Sequence, residues 1–134
     1  MSKRWKVGLS PALLLLCAST ILASEPVTIG AILASPETYY FREATLQGAA
    51  RQVKPIGMFS GKCGNVYDAY TFVLDDGTGS IDVDVGGTCR GPGIVVVVDN
   101  GDKVIIEAVI NKYIGGSGPP TIKASAKDVR RAGK

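Results

Sequence analysis

The chain has 134 residues, of which 46% are hydrophobic, and carries 15 Lys+Arg against 12 Asp+Glu with no histidine. That length suits one domain with a core of its own. The absence of histidine removes the most common metal ligand and the most common general base near neutral pH, so histidine-based zinc sites and histidine-activated nucleophiles are excluded.

The first residues have the layout of a secretory signal peptide. Lys3, Arg4 and Lys6 make a basic start, residues 9–22 are almost wholly apolar, and polarity returns at Ser24-Glu25-Pro26. We expect residues 1–23 to be removed after Ala23, although Ile21 is bulkier than the small residue that position prefers. A lipoprotein signal through Cys17 is the competing reading, and Leu16 before the cysteine is a poor fit to it. The apolar run falls short of the ~20 residues a membrane span needs. Loss of Lys3, Arg4 and Lys6 leaves the remaining 24–134 domain with balanced charge, so the basic character of the whole chain belongs to its targeting segment. The cations that remain are unevenly placed: Lys123, Lys127, Arg130, Arg131 and Lys134 crowd the end, opposed there by Asp128 alone. The body before them has more acidic than basic side chains, a poor surface for polyphosphate.

Residues 25–34 are either a short strand or the lead into a helical turn. Ser35-Pro36-Glu37 then predicts one turn of helix at 35–39, with Ser35 as N-cap and proline in the first turn. Residues 44–56 alternate as a long first strand, with Gly48 at a place where it can bend sharply. Three glycines make 57–66 a loop, and it contains Cys63. Residues 67–85 form the clearest element, a β-hairpin. Tyr70, Phe72 and Leu74 alternate with Thr71, Val73 and Asp75; beyond the turn at Asp76-Gly77-Thr78-Gly79, Ile81, Val83 and Val85 alternate with Asp82 and Asp84. Both arms therefore repeat with period two, one face apolar and one polar.

A second glycine-rich loop, 86–93, contains Cys89. In an exported chain the even pair Cys63 and Cys89 predicts a disulfide tying the loop before the hairpin to the loop after it, with free thiols as the alternative. Residues 94–98 are a β-branched run, either a buried strand or a covering segment. Residues 103–114 give another strand and 121–129 a last one, separated by the turn 115–120. Strands broken by glycine-rich turns, with little helical period, predict an all-β barrel or sandwich.

The order of these pieces resembles the small OB-fold proteins of the tRNA and single-strand binding type, in their secreted bacterial relatives. The resemblance spans residues 27–129 and rests on Tyr70, Phe72, Leu74, Asp76, Gly77, Gly79, Ile81 and Val83, with Gly101, Asp102 and Val104. It implies a five-stranded Greek-key barrel with a short helical turn at its start. It also implies a ligand face for oligonucleotides or oligosaccharides on the second and third barrel strands. Here the usual helix between the third and fourth strands is replaced by the Gly- and Val-rich segment 86–98.

The residues themselves offer that face little for nucleic acid. With the apolar side turned inward, the outer side presents Thr71, Val73, Asp82 and Asp84, with no aromatic platform and no positive charge. Tyr67 and Tyr113 are the aromatic contacts expected to be exposed, whereas Tyr39, Tyr40 and Phe41 look like a plug at the barrel mouth. Asp75, Asp76, Asp82 and Asp84 lack the ligand spacing of a calcium loop and are read as turn and solvent-face residues. No serine sits in a nucleophile elbow, and without histidine a covalent haem-carrier role is disfavoured. The expectation is a periplasmic or secreted, non-enzymatic binding module without cofactor or metal, contacting a protein or envelope component. The alternative is a nucleic-acid binder acting through the basic 123–134 tail.

Overall fold

The computed structural model describes residue 8 and residues 25–133, so the signal segment apart from Gly8, Cys17 included, lies outside the described residues. Its elements run in the order α1 (Ile29–Ala34), a 3-10 turn (Pro36–Thr38), β1 (Glu43–Pro55), β2 (Phe59–Gly61), β3 (Gly64–Val66), β4 (Tyr70–Asp75), β5 (Ser80–Val85), β6 (Lys103–Tyr113) and β7 (Thr121–Arg131). Five of the strands close into a barrel in the order β1-β4-β5-β7-β6, while β2 and β3 form a separate hairpin. All barrel neighbours are antiparallel except β5 and β7, which are parallel. The five-stranded Greek-key barrel implied by the sequence is thus present.

The hairpin β4–β5 sets the barrel's inside and outside. Inward pairs face one another across the two strands, Tyr70 with Val85, Phe72 with Val83 and Leu74 with Ile81, and all six side chains are buried. Outward pairs alternate with them, Thr71 with Asp84 and Val73 with Asp82. Cross-strand pairing of this kind is the unit that stabilises a sheet, and a slip of one residue would turn the whole apolar set to water. Leu46, Val104, Ile106, Ile110 and Ala124 complete the core from the other strands.

One long strand serves two neighbours. β1 pairs with β6 over Glu43 to Ala49 and with β4 from Ala49 onward, and it must curl sharply at the handover. Gly48 allows this: a Cβ there would stand 2.4 Å from the Asp75 carbonyl oxygen, so only glycine lets the strands approach. The register shifts again between Arg51 and Lys54, where Gln52 has φ 51. This bulge adds local twist, and the Asn100 Oδ1 accepts from the Val53 N–H at 2.9 Å.

Residues 25–34 resolve to a helix. Thr28 caps α1, its hydroxyl accepting from the Ala31 N–H at 3.2 Å, and Ile29 and Ile32 are fully buried under the barrel. The helix is seated on the β4–β5 turn. Asp76 Oδ2 accepts from the Ile29 N–H at 2.8 Å, Asp76 Oδ1 accepts from the Thr78 N–H at 2.9 Å, and Thr78 Oγ1 accepts from the Gly30 N–H at 2.9 Å. Burial pushes the Asp76 carboxyl up, but these donors, with the Thr78 hydroxyl and the Gly79 N–H, outweigh it and hold the group below its ordinary range. Ser35 does not cap the following turn with its side chain; it ends α1, its N–H donating to the Ala31 carbonyl at 3.2 Å.

One further expectation is corrected. The 57–66 stretch is the hairpin β2–β3, with Phe59 opposite Val66 and Gly61 opposite Gly64; its glycines mark the turn, where Gly64 has φ 102. The last strand expected at 121–129 is β7, held between β5 and β6, and it takes up the basic stretch from residue 123 to Arg131. Residues 94–98 form a covering segment and not a strand. Val98 is buried there while Ile94, Val96 and Val97 are exposed, and the segment is held by the Tyr70 hydroxyl donating to the Val96 carbonyl at 2.7 Å. Cys63 and Cys89 form the expected disulfide, with Cα atoms 6.2 Å apart and a sequence separation of 26. It pins the β2–β3 tip to the loop after β5, closing a loop that chain-entropy estimates value at roughly 3–4 kcal/mol.

Phe72→Ala is expected to cost about 3–5 kcal/mol and Asp82→Ala within about half a kcal/mol, read as midpoint shifts in urea unfolding. Equal losses would overturn the inside-outside assignment of the hairpin. Asp76→Asn is expected to destabilise by about 1–2 kcal/mol at neutral pH. Because the folded carboxyl titrates below its unfolded value of about 3.9, its stabilisation is present above that value and lost as pH falls through the lower folded pKa. The wild-type and Asp76→Asn stabilities should accordingly converge on acidification; a gap that stayed constant below pH about 3 would count against the ionised carboxylate as the source.

Candidate ligand-binding face

The outer surface of β4 and β5 carries the residues read from the sequence as contacts. Register places Lys54, Thr71, Asp84 and Ser125 in one row across β1, β4, β5 and β7, and Arg51, Val73, Asp82 and Lys123 in the next. A shallow cavity of about 180 Å³ lies on this surface, lined by Gln52, Lys54, Thr71, Asp82, Asp84 and Lys123. Thr71, Asp82 and Asp84 are therefore brought together, and Lys123 joins them from β7.

Tyr113 stands at the end of β6, 56% exposed, with the Lys123 ammonium 5.0 Å from its ring centroid. Such a contact is attractive because the ring face is electron-rich. A second pair sits at the same end of β6, where Lys112 Nζ lies 5.9 Å from the Tyr40 ring. Tyr67 is not part of this group. It lies beyond the start of β4 beside the disulfide-tied loop, where its N–H and carbonyl bond to Thr88 at 2.8 and 3.0 Å.

The other basic residues of β7 are occupied. Lys127 pairs with Glu43, which holds the ammonium above its usual range. Arg130 Nε lies 3.2 Å from Asp128 Oδ2, and its Nη2 is near Glu107. Arg131 donates to Asp102 Oδ2 at 3.1 Å and to the Val97 carbonyl at 2.7 Å, clamping the covering segment to the last strand. Sequence reasoning missed Lys54 and Gln52, because the bulge at Gln52 changes which side chains of β1 look out over β4. Nothing in local alternation signals that shift. Among the described residues no three His, Cys, Asp or Glu side chains gather as a metal site, and no helix is long and apolar enough to cross a membrane.

The fold is an OB-fold, on strand order and on likeness to solved structures. The second OB-fold domain of replication protein A from Methanococcus maripaludis aligns over 71% of this chain and 88% of its own, with TM-score 0.54 and 20% identity. RecJ in complex with manganese from Thermus thermophilus aligns over 81% of this chain, with TM-score 0.51 and 12% identity; the match spans 15% of that larger protein. No protein-family pattern and no curated protein matches the chain.

Proposed function

We propose that this chain is a non-enzymatic, exported binding module that contacts a protein or envelope component through the outer β4–β5 face and the loops at its edges. The observation that carries this is the charge of the face. Asp82 and Asp84 stand at its centre with Lys54, Lys123 and the Asp75-paired Arg51 on the flanks, a mixed pattern suited to a polar partner of either sign and poorly suited to a phosphate backbone. Apolar side chains accompany it at one end of the barrel, where Met58 and Phe59 of the β2–β3 region and Ile94 and Val96 of the covering segment are exposed. Exposed apolar side chains rimmed by polar ones are a common feature of protein contact surfaces. Export is supported by the signal-like order of residues 1–23.

Two observations favour a second reading, single-stranded nucleic acid. OB-folds of the replication protein A kind bind single strands by stacking bases on aromatic rings along a positive groove, and such a domain is among the similar structures. Tyr113 with Lys123 offers one stacking position of that type at the edge of the face. The basic residues that could extend it, Lys127, Arg130 and Arg131, are paired with carboxylates.

Fluorescence anisotropy with labelled single-stranded oligonucleotides separates the two. The protein-contact reading predicts no binding at about 10 μM protein, whereas the nucleic-acid reading predicts binding that weakens steeply between about 50 and 200 mM salt and is reduced by Tyr113→Ala. Capture of a partner from envelope extract by the wild type, lost in the Asp82→Lys/Asp84→Lys variant, completes the first reading. Intact-mass measurement of the exported protein should give a mature chain starting near Ser24; a mass retaining residues 1–23, or one with a lipid on Cys17, would refute the cleavage.

A further inference from the structure

The end of the barrel beyond Pro55 and Val85 collects most of the exposed apolar side chains. Among the described residues ten large hydrophobic side chains are exposed, and six of them are Ile56, Met58, Phe59, Ile94, Val96 and Val97. They come from two stretches far apart in sequence, and residues 68–70 hold both. The Ile56 N–H donates to the Ala69 carbonyl at 2.9 Å, the Gly93 N–H to Asp68 Oδ2 at 2.7 Å, and the Tyr70 hydroxyl to the Val96 carbonyl at 2.7 Å. Only Val66 of β2 and β3 is buried, so that hairpin presents its side chains to solvent and does not wrap a groove.

The tip of this end carries charge of one sign. Residues 55–67 and 86–98 include Lys62 and Arg90 and no aspartate or glutamate. Lys62 precedes Cys63 and Arg90 follows Cys89, so the disulfide, with Cα atoms 6.2 Å apart, sets the two cations side by side. Both residues are exposed, and neither has a described carboxylate within salt-bridge distance. The flanking charges, Lys54 and Asp68, offset one another. Asp99 and Asp102, beyond the covering segment, face Arg131.

We propose that this end of the barrel docks on an anionic lipid bilayer. Ile56, Met58 and Phe59 enter the boundary between headgroups and acyl chains, while Lys62 and Arg90 stay at headgroup level and meet lipid phosphates. A bilayer accepts apolar tips without a matching pocket, and its negative surface complements the two cations. A second copy of the chain fits less well, because a two-fold contact of this surface with itself would bring like charges together with no carboxylate between them. The inference rests on the proposed export and names the membrane as the envelope component met by this end; it makes no demand on the partner of the β4–β5 face.

The test is sedimentation of the exported protein, its disulfide intact, with vesicles of phosphatidylglycerol and phosphatidylcholine at about 3:7, and with phosphatidylcholine alone in a parallel arm. The expected result is saturable binding to the anionic vesicles that weakens as salt rises from about 50 to 500 mM. Affinity should fall at least about tenfold in Lys62→Glu/Arg90→Glu and in Met58→Ser/Phe59→Ser, and hold in Lys62→Arg/Arg90→Lys. Asp82→Ala/Asp84→Ala, on the β4–β5 face, should leave binding unchanged, and the urea midpoint of each variant reports whether it is folded. Three results would each overturn the proposal: no binding to anionic vesicles, even if an acidic protein is captured through this end instead; equal binding to phosphatidylcholine alone; or equal affinity in folded Lys62→Glu/Arg90→Glu. Failure of vesicle binding while partner capture through Asp82 and Asp84 persists would sink the lipid surface and leave the reading of the β4–β5 face standing.

Discussion

One carboxylate holds two parts of the architecture in register. Asp76 closes the β4–β5 turn through the N–H groups of Thr78 and Gly79 and seats the plug helix through the N–H of Ile29, a residue 47 positions earlier in the chain. An ionised acceptor makes stronger hydrogen bonds than a neutral one, and here it joins the hairpin that defines the barrel wall to the helix that covers its end. Gly79 takes part through what it lacks, since a Cβ there would meet Leu33 at 3.1 Å and Ile29 at 3.4 Å. The sequence Asp-Gly-Thr-Gly is therefore more than a reversal: each of its positions answers to the turn or to α1.

The outer face follows from the inner one. Once Tyr70, Phe72 and Leu74 point into the core, Thr71, Val73 and Asp75 must point out, and β5 contributes Asp82 and Asp84 by the same rule. The cations that balance these acids come from strands far away in sequence, β1 and β7, whose positions are fixed by barrel closure. Surface charge on this domain is thus assembled by topology. A count of charges along the chain places the basic residues together at one end, while the folded strand spreads them and pairs Lys127, Arg130 and Arg131 with acids from β1, β6, β7 and the turn before β6.

Legibility in the sequence tracked the length and cleanness of each local pattern. The β4–β5 hairpin, with six residues on each arm, could be assigned from its alternation, and the disulfide from an even cysteine pair in a chain expected to be exported. The helix α1 was left between strand and helix because six residues cover less than two helical turns, too few for a 3.6-residue period to separate from alternation. The β2–β3 hairpin, three residues per strand and glycine-rich, has no pattern at all; only Val66 of its strands is buried. On the candidate face, Thr71, Asp82 and Asp84 were legible through alternation. Lys54 was not, because a bulge with positive φ at Gln52 breaks the alternation that would have placed it.

The parallel pairing of β5 with β7 bears on how the chain can fold. Every other barrel contact can form between strands that run antiparallel, but this one joins Asp82–Val85 to Lys123–Ala126 across an intervening strand and two loops, and β7 also completes β6. Until residues 121–131 arrive, β5 and β6 each keep an unpaired row of backbone donors and acceptors, the kind of open edge through which partly folded chains associate with one another. Closure is therefore a non-local event, entropically slow to nucleate. The last strand carries Lys123, Lys127, Arg130 and Arg131, and charges of this kind on a strand disfavour pairing with the wrong copy while its own place in the barrel is open.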